Sequence, residues 1–82
     1  MWYVKKPIPV QALQWTGDNF EEIHNFITNY PVVITSNNEL IVSTLEGDMR
    51  APIGSYIIQG VEGEFYPCRG PIFEKTYQSI EK

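Results

Sequence analysis

Two arginines and three aromatic residues offer the first chemistry in this chain. Arg50 and Arg69 lie in a stretch rich in glycine and turns, with Tyr56 and Tyr66 between them and Trp15 far upstream. A guanidinium carries a planar fork of donors that matches the oxygens of a phosphate in pairs, and an aromatic face stacks on a nucleobase whatever its identity. These five residues are the expected ligand-binding set. A protein that is acidic overall can still hold a small anion in a local pocket, above all one shared between protomers. The plainer reading leaves both arginines in surface ion pairs with Glu46, Asp48 or Glu64.

The groups that would catalyse are sparse. His24, the only histidine, is the one candidate for the usual general base, and its place between Ile23 and Asn25 suits an exposed helix position. Cys68 is the only cysteine. It permits no intramolecular disulfide, and a free cysteine more often packs as a small apolar side chain than reacts. Ser36, Ser43, Ser55 and Ser79 lack the strand–turn–helix context of a nucleophile elbow. Glu46 with Asp48, and Glu62 with Glu64, place acids in pairs around glycine turns, where solvated loops are the simplest account, although paired acids also serve glycosidases and cations. Gly60-x-x-Gly63 joins two strands and so lacks the helix N-terminus that phosphate-cradling loops use. These patterns predict a protein that is not an enzyme and carries neither a cofactor nor a metal.

Composition narrows the class further. The chain has 82 residues, ten acidic against six basic, for a formal charge of −4. Duplex DNA binding relies on a basic stripe that releases counterions, and Lys5-Lys6 is too short to supply one. A DNA mimic would cluster its carboxylates, yet Glu21-Glu22 reads as a solvated helix face. Apolar runs reach four residues or fewer, too short to span a bilayer, and the opening Met-Trp-Tyr-Val has no signal-peptide core. A soluble, cytoplasmic protein is expected. A chain this small buries only ~60% of its unfolded surface, yet this one carries eleven aromatic residues. That excess predicts a homo-oligomer.

The elements that must position these residues follow from periodicity. Residues 8–15 read as a strand that Pro7 and Pro9 confine to a sheet edge. Asp18 to Tyr30 reads as a helix: Asp18 caps it, with Glu21 three residues on. Phe20, Ile23, Phe26, Ile27 and Tyr30 form its buried stripe, with Glu21, Glu22, Asn25 and Asn29 outward, and Pro31 stops it. Val32–Thr35 and Leu40–Leu45 form a hairpin across residues 36–39. After a turn at Glu46-Gly47-Asp48, Met49–Ala51 is a short strand, and Pro52-Ile53-Gly54 turns again. Tyr56–Gln59 and Glu64–Cys68 pair across a loop with two glycines. From Pro71 the period changes to helical, with Ile72, Phe73, Thr76, Tyr77 and Ile80 on one face and Pro71 in the first turn. The expected fold is a single α+β domain over residues 1–82: a small antiparallel meander sheet of five or six strands with two helices.

Most of these blocks also carry a family resemblance. Ala12 to Asn19, the run Thr44-Leu45-Glu46-Gly47-Asp48-Met49, Gly63 to Cys68 and Ile72 to Tyr77 fall in an order and spacing similar to small bacteriophage and prophage proteins of the PGDYG type. Ser55 stands where that family carries the aspartate of a glycine-aspartate-tyrosine turn, and Gly70-Pro71 stands where proline-aspartate is common. The resemblance implies a phage accessory protein. Combined with the arginines and aromatics, it leads to the expectation of a counter-defence protein that sequesters a signalling nucleotide as a small homo-oligomer. In that reading Arg50 and Arg69 neutralise phosphates while Trp15, Tyr56 and Tyr66 stack on bases. The alternative is a protein–protein inhibitor or assembly module, acting on a host defence protein or a phage protein through an aromatic patch and the edge of the first strand.

Overall fold

The computed structural model describes residues 1–28 and 30–80. In chain order these hold β1 (Gln11–Gln14), α1 (Phe20–Phe26), β2 (Val32–Ile34), β3 (Leu40–Thr44), β4 (Gly47–Ala51), β5 (Tyr56–Gln59), β6 (Phe65–Cys68) and α2 (Gly70–Thr76). The class is α+β, as expected, but the strands do not form one meander. They form two three-stranded antiparallel sheets, β1-β5-β6 and β2-β3-β4.

The division arises at the turn after β4. Pro52 has no N–H to continue the ladder, and Gly54 takes φ +97°, a conformation open to glycine without a Cβ penalty. The reversed chain is then captured by β1. Gly54 N–H donates to Trp15 O at 2.7 Å and Trp15 N–H donates to Ser55 O at 2.8 Å, after which Gln14 pairs with Tyr56 and Gln11 with Gln59. A meander presumes that each strand pairs with its neighbour in sequence. Here β5 pairs with a strand more than forty residues earlier and with β6 on its other side.

The core lies between the sheets and under α1. Trp15, Ile23, Ile27, Val32, Leu40, Val42, Ala51, Ile57 and Phe65 form one buried cluster, with Leu13, Phe20, Phe26 and Tyr30 packed against it. Strand alternation selects these residues: Leu13 and Ile57 are register partners in one sheet, as are Leu40 and Ala51 in the other. Phe26 and Tyr30 both meet the Phe65 ring edge-on, with centroids 5.4 and 6.2 Å away. This edge-to-face geometry suits the ring quadrupoles. The Trp15 indole N–H donates to Asn38 O at 3.0 Å, so the most buried large side chain leaves no polar atom unpaired.

α1 is shorter than its apolar stripe suggests. It begins one residue after Asn19, not Asp18, and ends at Phe26, five residues before Pro31. Ile27 is already extended (φ −88°, ψ 99°). A β-branched pair, Ile27-Thr28, favours that exit, and two turns suffice to bring Ile23 and Ile27 into the core. Glu21, Glu22 and Asn25 face solvent, while Asn29 lies outside the described residues. β1 covers Gln11–Gln14 only and is an edge strand, consistent with the two prolines that precede it. β4 starts at Gly47, so the preceding turn falls on Leu45-Glu46. α2 starts at Gly70 and ends at Thr76. Its expected stripe is therefore cut short before Ile80, which is exposed; Ile72, inside the helix, is exposed as well, while Phe73 and Tyr77 are half-buried. Among the described residues no helix is long and apolar enough to cross a membrane.

Candidate functional site

The five residues expected to bind a ligand fall into three places. Trp15 is 0% exposed in the core and presents no ring face to a ligand. Its expected stacking role is corrected to a packing one. Tyr56 and Tyr66 lie on the far face of the β1-β5-β6 sheet, where β5 and β6 alternate away from the core. Arg50 and Arg69 share a third place, one cleft at the surface.

The aromatic face is closed by α2. Phe73 stacks on Tyr56 with centroids 3.9 Å apart and planes 12° from parallel. Its other neighbour in the column is Tyr77, at 4.7 Å and 17°. The Tyr66 phenol lies beside that of Tyr77, and Ile58, its cross-strand partner, is fully buried. Burial pushes the Tyr66 phenol up to about 12 from its ordinary value of 10.0. Interaction with Tyr77 and the proximity of Glu64 and Cys68 add to the rise. All of these effects disfavour the phenolate. Tyr56 and Tyr66 thus anchor the last helix, using ring area that the stacking hypothesis had assigned to a base.

The arginines meet at the turn that divides the sheets. One cleft of about 390 Å³ is lined by Met49, Arg50, Pro52, Ser55, Pro67 and Arg69. A second, of about 340 Å³, runs between the Pro52–Ser55 turn and the start of α2. Arg69, Pro52 and Ser55 belong to both. The clefts exist because the turn and the helix approach closely: a Cβ on Gly70 would lie 2.7 Å from Gly54 O, so only glycine permits the spacing seen.

The two guanidinium groups differ in their partners. Arg50 Nη1 donates to Glu39 Oε1 at 2.9 Å, with the arginine side chain 63% exposed. Its partner is Glu39, not the Glu46, Asp48 or Glu64 expected from sequence. Asp48 instead accepts from the Ser43 hydroxyl, and Glu64 from Glu62 N–H. Arg50–Glu39 is the one ion pair among the described residues, so Arg69, exposed at the N-cap of α2, has no carboxylate within 4.0 Å there. Ser55, only 4% exposed, is the cleft residue that site reasoning from sequence missed. In the sequence it stands out only as a serine without a nucleophile-elbow context and as the replacement for a family aspartate.

The remaining reactive groups do not converge on this cleft. His24 is exposed on α1 beside Phe20, with ring centroids 6.1 Å apart. Cys68 is a half-buried free thiol on β6. No group of three His, Cys, Asp or Glu residues that could hold a metal ion occurs among the described residues. No family model, curated protein or solved structure matches the chain.

Proposed function

We propose that the chain is a non-enzymatic binding protein that works as a small homo-oligomer and sequesters a phosphorylated small molecule at the Arg50–Arg69 cleft. The carrying observation is that two arginines nineteen positions apart line one cleft, and that Arg69 there has no carboxylate partner among the described residues. A desolvated phosphate would take up that unspent charge and the guanidinium fork. The cleft's volume falls within the range of small-ligand sites. The resemblance of the sequence blocks to small phage proteins supports the setting, a phage accessory protein, and a signalling nucleotide made by host defence as the ligand class. Recognition then rests on phosphate charge, since Trp15, Tyr56 and Tyr66 spend their rings on packing.

The test is native mass spectrometry with a panel of cyclic nucleotides and cyclic ADP-ribose species, on the parent protein and on Arg69→Ala and Arg50→Ala. Retained ligand on the parent, lost in Arg69→Ala and weakened in Arg50→Ala, is the expected result. Binding indifferent to both substitutions, or no binding by any member of the panel, rejects the cleft as the site. A second reading, a module that binds a host or phage protein, is favoured by β1. It ends the β1-β5-β6 sheet with one edge unpaired and can accept a strand from a partner. A single stoichiometric partner recovered from infected-cell lysate, lost when Ala12→Pro blocks that edge, would support it.

A further inference from the structure

The least explained surface of the molecule is its first segment. Met1, Trp2, Tyr3 and Val4 are 105, 101, 84 and 92% exposed, and Ile8 is 55% exposed. Residues 1–9 belong to no helix or strand. Their backbone makes one bond among the described residues, Ile8 N–H to Lys6 O at 2.8 Å across Pro7. Two large aromatic rings standing wholly in water form an apolar patch of the kind that marks an interaction site.

We infer that this segment is an arm that docks on a second copy of the chain, adding Trp2–Val4 as a strand to the free edge of that copy's β2. The inference rests on the homo-oligomeric part of the proposed function and is independent of the ligand. Three observations carry it. The first is the receiving edge: β2 ends the β2-β3-β4 sheet, and its Val33 and Ile34 are 55 and 43% exposed. An apolar edge strand left open is an aggregation template that folded proteins cover. The second is charge. Residues 1–10 hold two lysines and no acid, whereas the remaining residues hold four basic against ten acidic groups, a net −6. The arm is drawn to the body of another copy and the bodies repel without it. The third is size. Ten extended residues reach about 33 Å, enough to cross a molecule whose shorter extents are 28 and 21 Å. Trp2 and Tyr3 would remove roughly 300–500 Å² from water in each arm. Reciprocal exchange, with the surfaces covered, therefore reaches on the order of the 1,200–2,000 Å² of a stable dimer.

Sedimentation equilibrium and native mass spectrometry at micromolar concentration test the arm. The parent chain is expected at twice its 9.5 kDa mass. Trp2→Ala with Tyr3→Ala, and separately Val33→Asp, are expected at the monomer mass. Both sites are exposed, so an unchanged far-ultraviolet spectrum and a still cooperative melting transition, lowered only by the loss of the partner, should accompany the change of mass. A parent chain that is monomeric overturns the homo-oligomeric reading and the arm together. A dimer that survives both variants leaves the homo-oligomer standing and overturns the arm alone.

Discussion

Substitution of Asn19, not of Asp18, should unseat the first helix. The Asn19 side chain holds the joint between β1 and α1 from both ends of its amide. Its Oδ1 accepts from Thr16 N–H and from the Thr16 hydroxyl, both at 2.9 Å. Its Nδ2 donates to Gln14 O at 2.9 Å and to Glu22 Oε1 at 3.0 Å. Asp18 accepts a single bond in an exposed setting, at 2.7 Å from the same Thr16 hydroxyl, whose one proton it shares with Asn19. Two of the Asn19 bonds engage backbone groups, each contributing about 0.5–1.5 kcal/mol net, while the exposed side-chain bonds contribute less. Asn19→Ala should therefore cost about 1–2 kcal/mol and Asp18→Ala less than about 0.5 kcal/mol, a reversal of the ~1 kcal/mol that an Asp18 cap implies. In urea, with a slope near 1 kcal/mol/M for so small a domain, the midpoint should fall by about 1–2 M for the first and by under about 0.5 M for the second. Asn19→Asp separates the two halves of the amide. It keeps the acceptor for Thr16 but turns an oxygen toward Gln14 O and Glu22, so it should cost as much as alanine and lose part of that cost when Glu22 is also replaced by Gln. Equal midpoints for Asn19→Ala and Asp18→Ala, or the opposite order, would refute the joint.

Three further outcomes follow from the packing of α2. Tyr66 has its folded-state phenol raised to about 12 against an ordinary 10.0. The unfolded chain therefore ionises first, and stability should be full below pH 10 and decline as pH rises from 10 toward 12. Tyr66→Phe should flatten that decline in urea melts and remove the highest step from the tyrosinate absorbance titration. Phe73→Ala removes the middle ring of the Tyr56–Phe73–Tyr77 column. It should cost about 2–3 kcal/mol, less than a fully buried phenylalanine because Phe73 is half-exposed, and a urea midpoint unchanged by it would contradict the column. Gly70→Ala would place a methyl 2.7 Å from Gly54 O, forcing backbone apart at a cost of about 1–3 kcal/mol. Thermal unfolding should register that loss, despite the ~1 kcal/mol by which alanine exceeds glycine in helix propensity.

Local pattern carried most of the strands into view from sequence. β-Branched runs bounded by Asn37-Asn38 and by Gly47 located β2 and β3 within a residue or two, and Gly47, the glycine of the turn between β3 and β4, takes positive φ. What local pattern could not supply was pairing across distance. Nothing near Tyr56 indicates that its partner is Gln14, because that choice is made by the two bonds that Gly54, Trp15 and Ser55 exchange once the chain has already turned. The helix ends failed for a related reason. An apolar stripe can continue through residues that leave the helix, as Ile27 and Tyr30 do, since extended backbone also delivers a side chain to the core.

The candidate site illustrates the same limit in chemical terms. Arginine and aromatic residues suggest one site because phosphates and bases occur together, yet a ring that can stack on a base can equally stack on another ring. Phe73 takes that place on Tyr56 at 3.9 Å, and Trp15 is enclosed with its N–H bonded to Asn38. Charge is harder to reassign in this way. A carboxylate must come within reach to neutralise a guanidinium, and Glu39 does so for Arg50 while no described residue does so for Arg69. The aromatic excess that suggested ligand binding is thus divided between the core, the α2 face and the exposed arm. Of these only the arm leaves rings unmet, so the arm is where that excess calls for a partner and Arg69 is where the charge does.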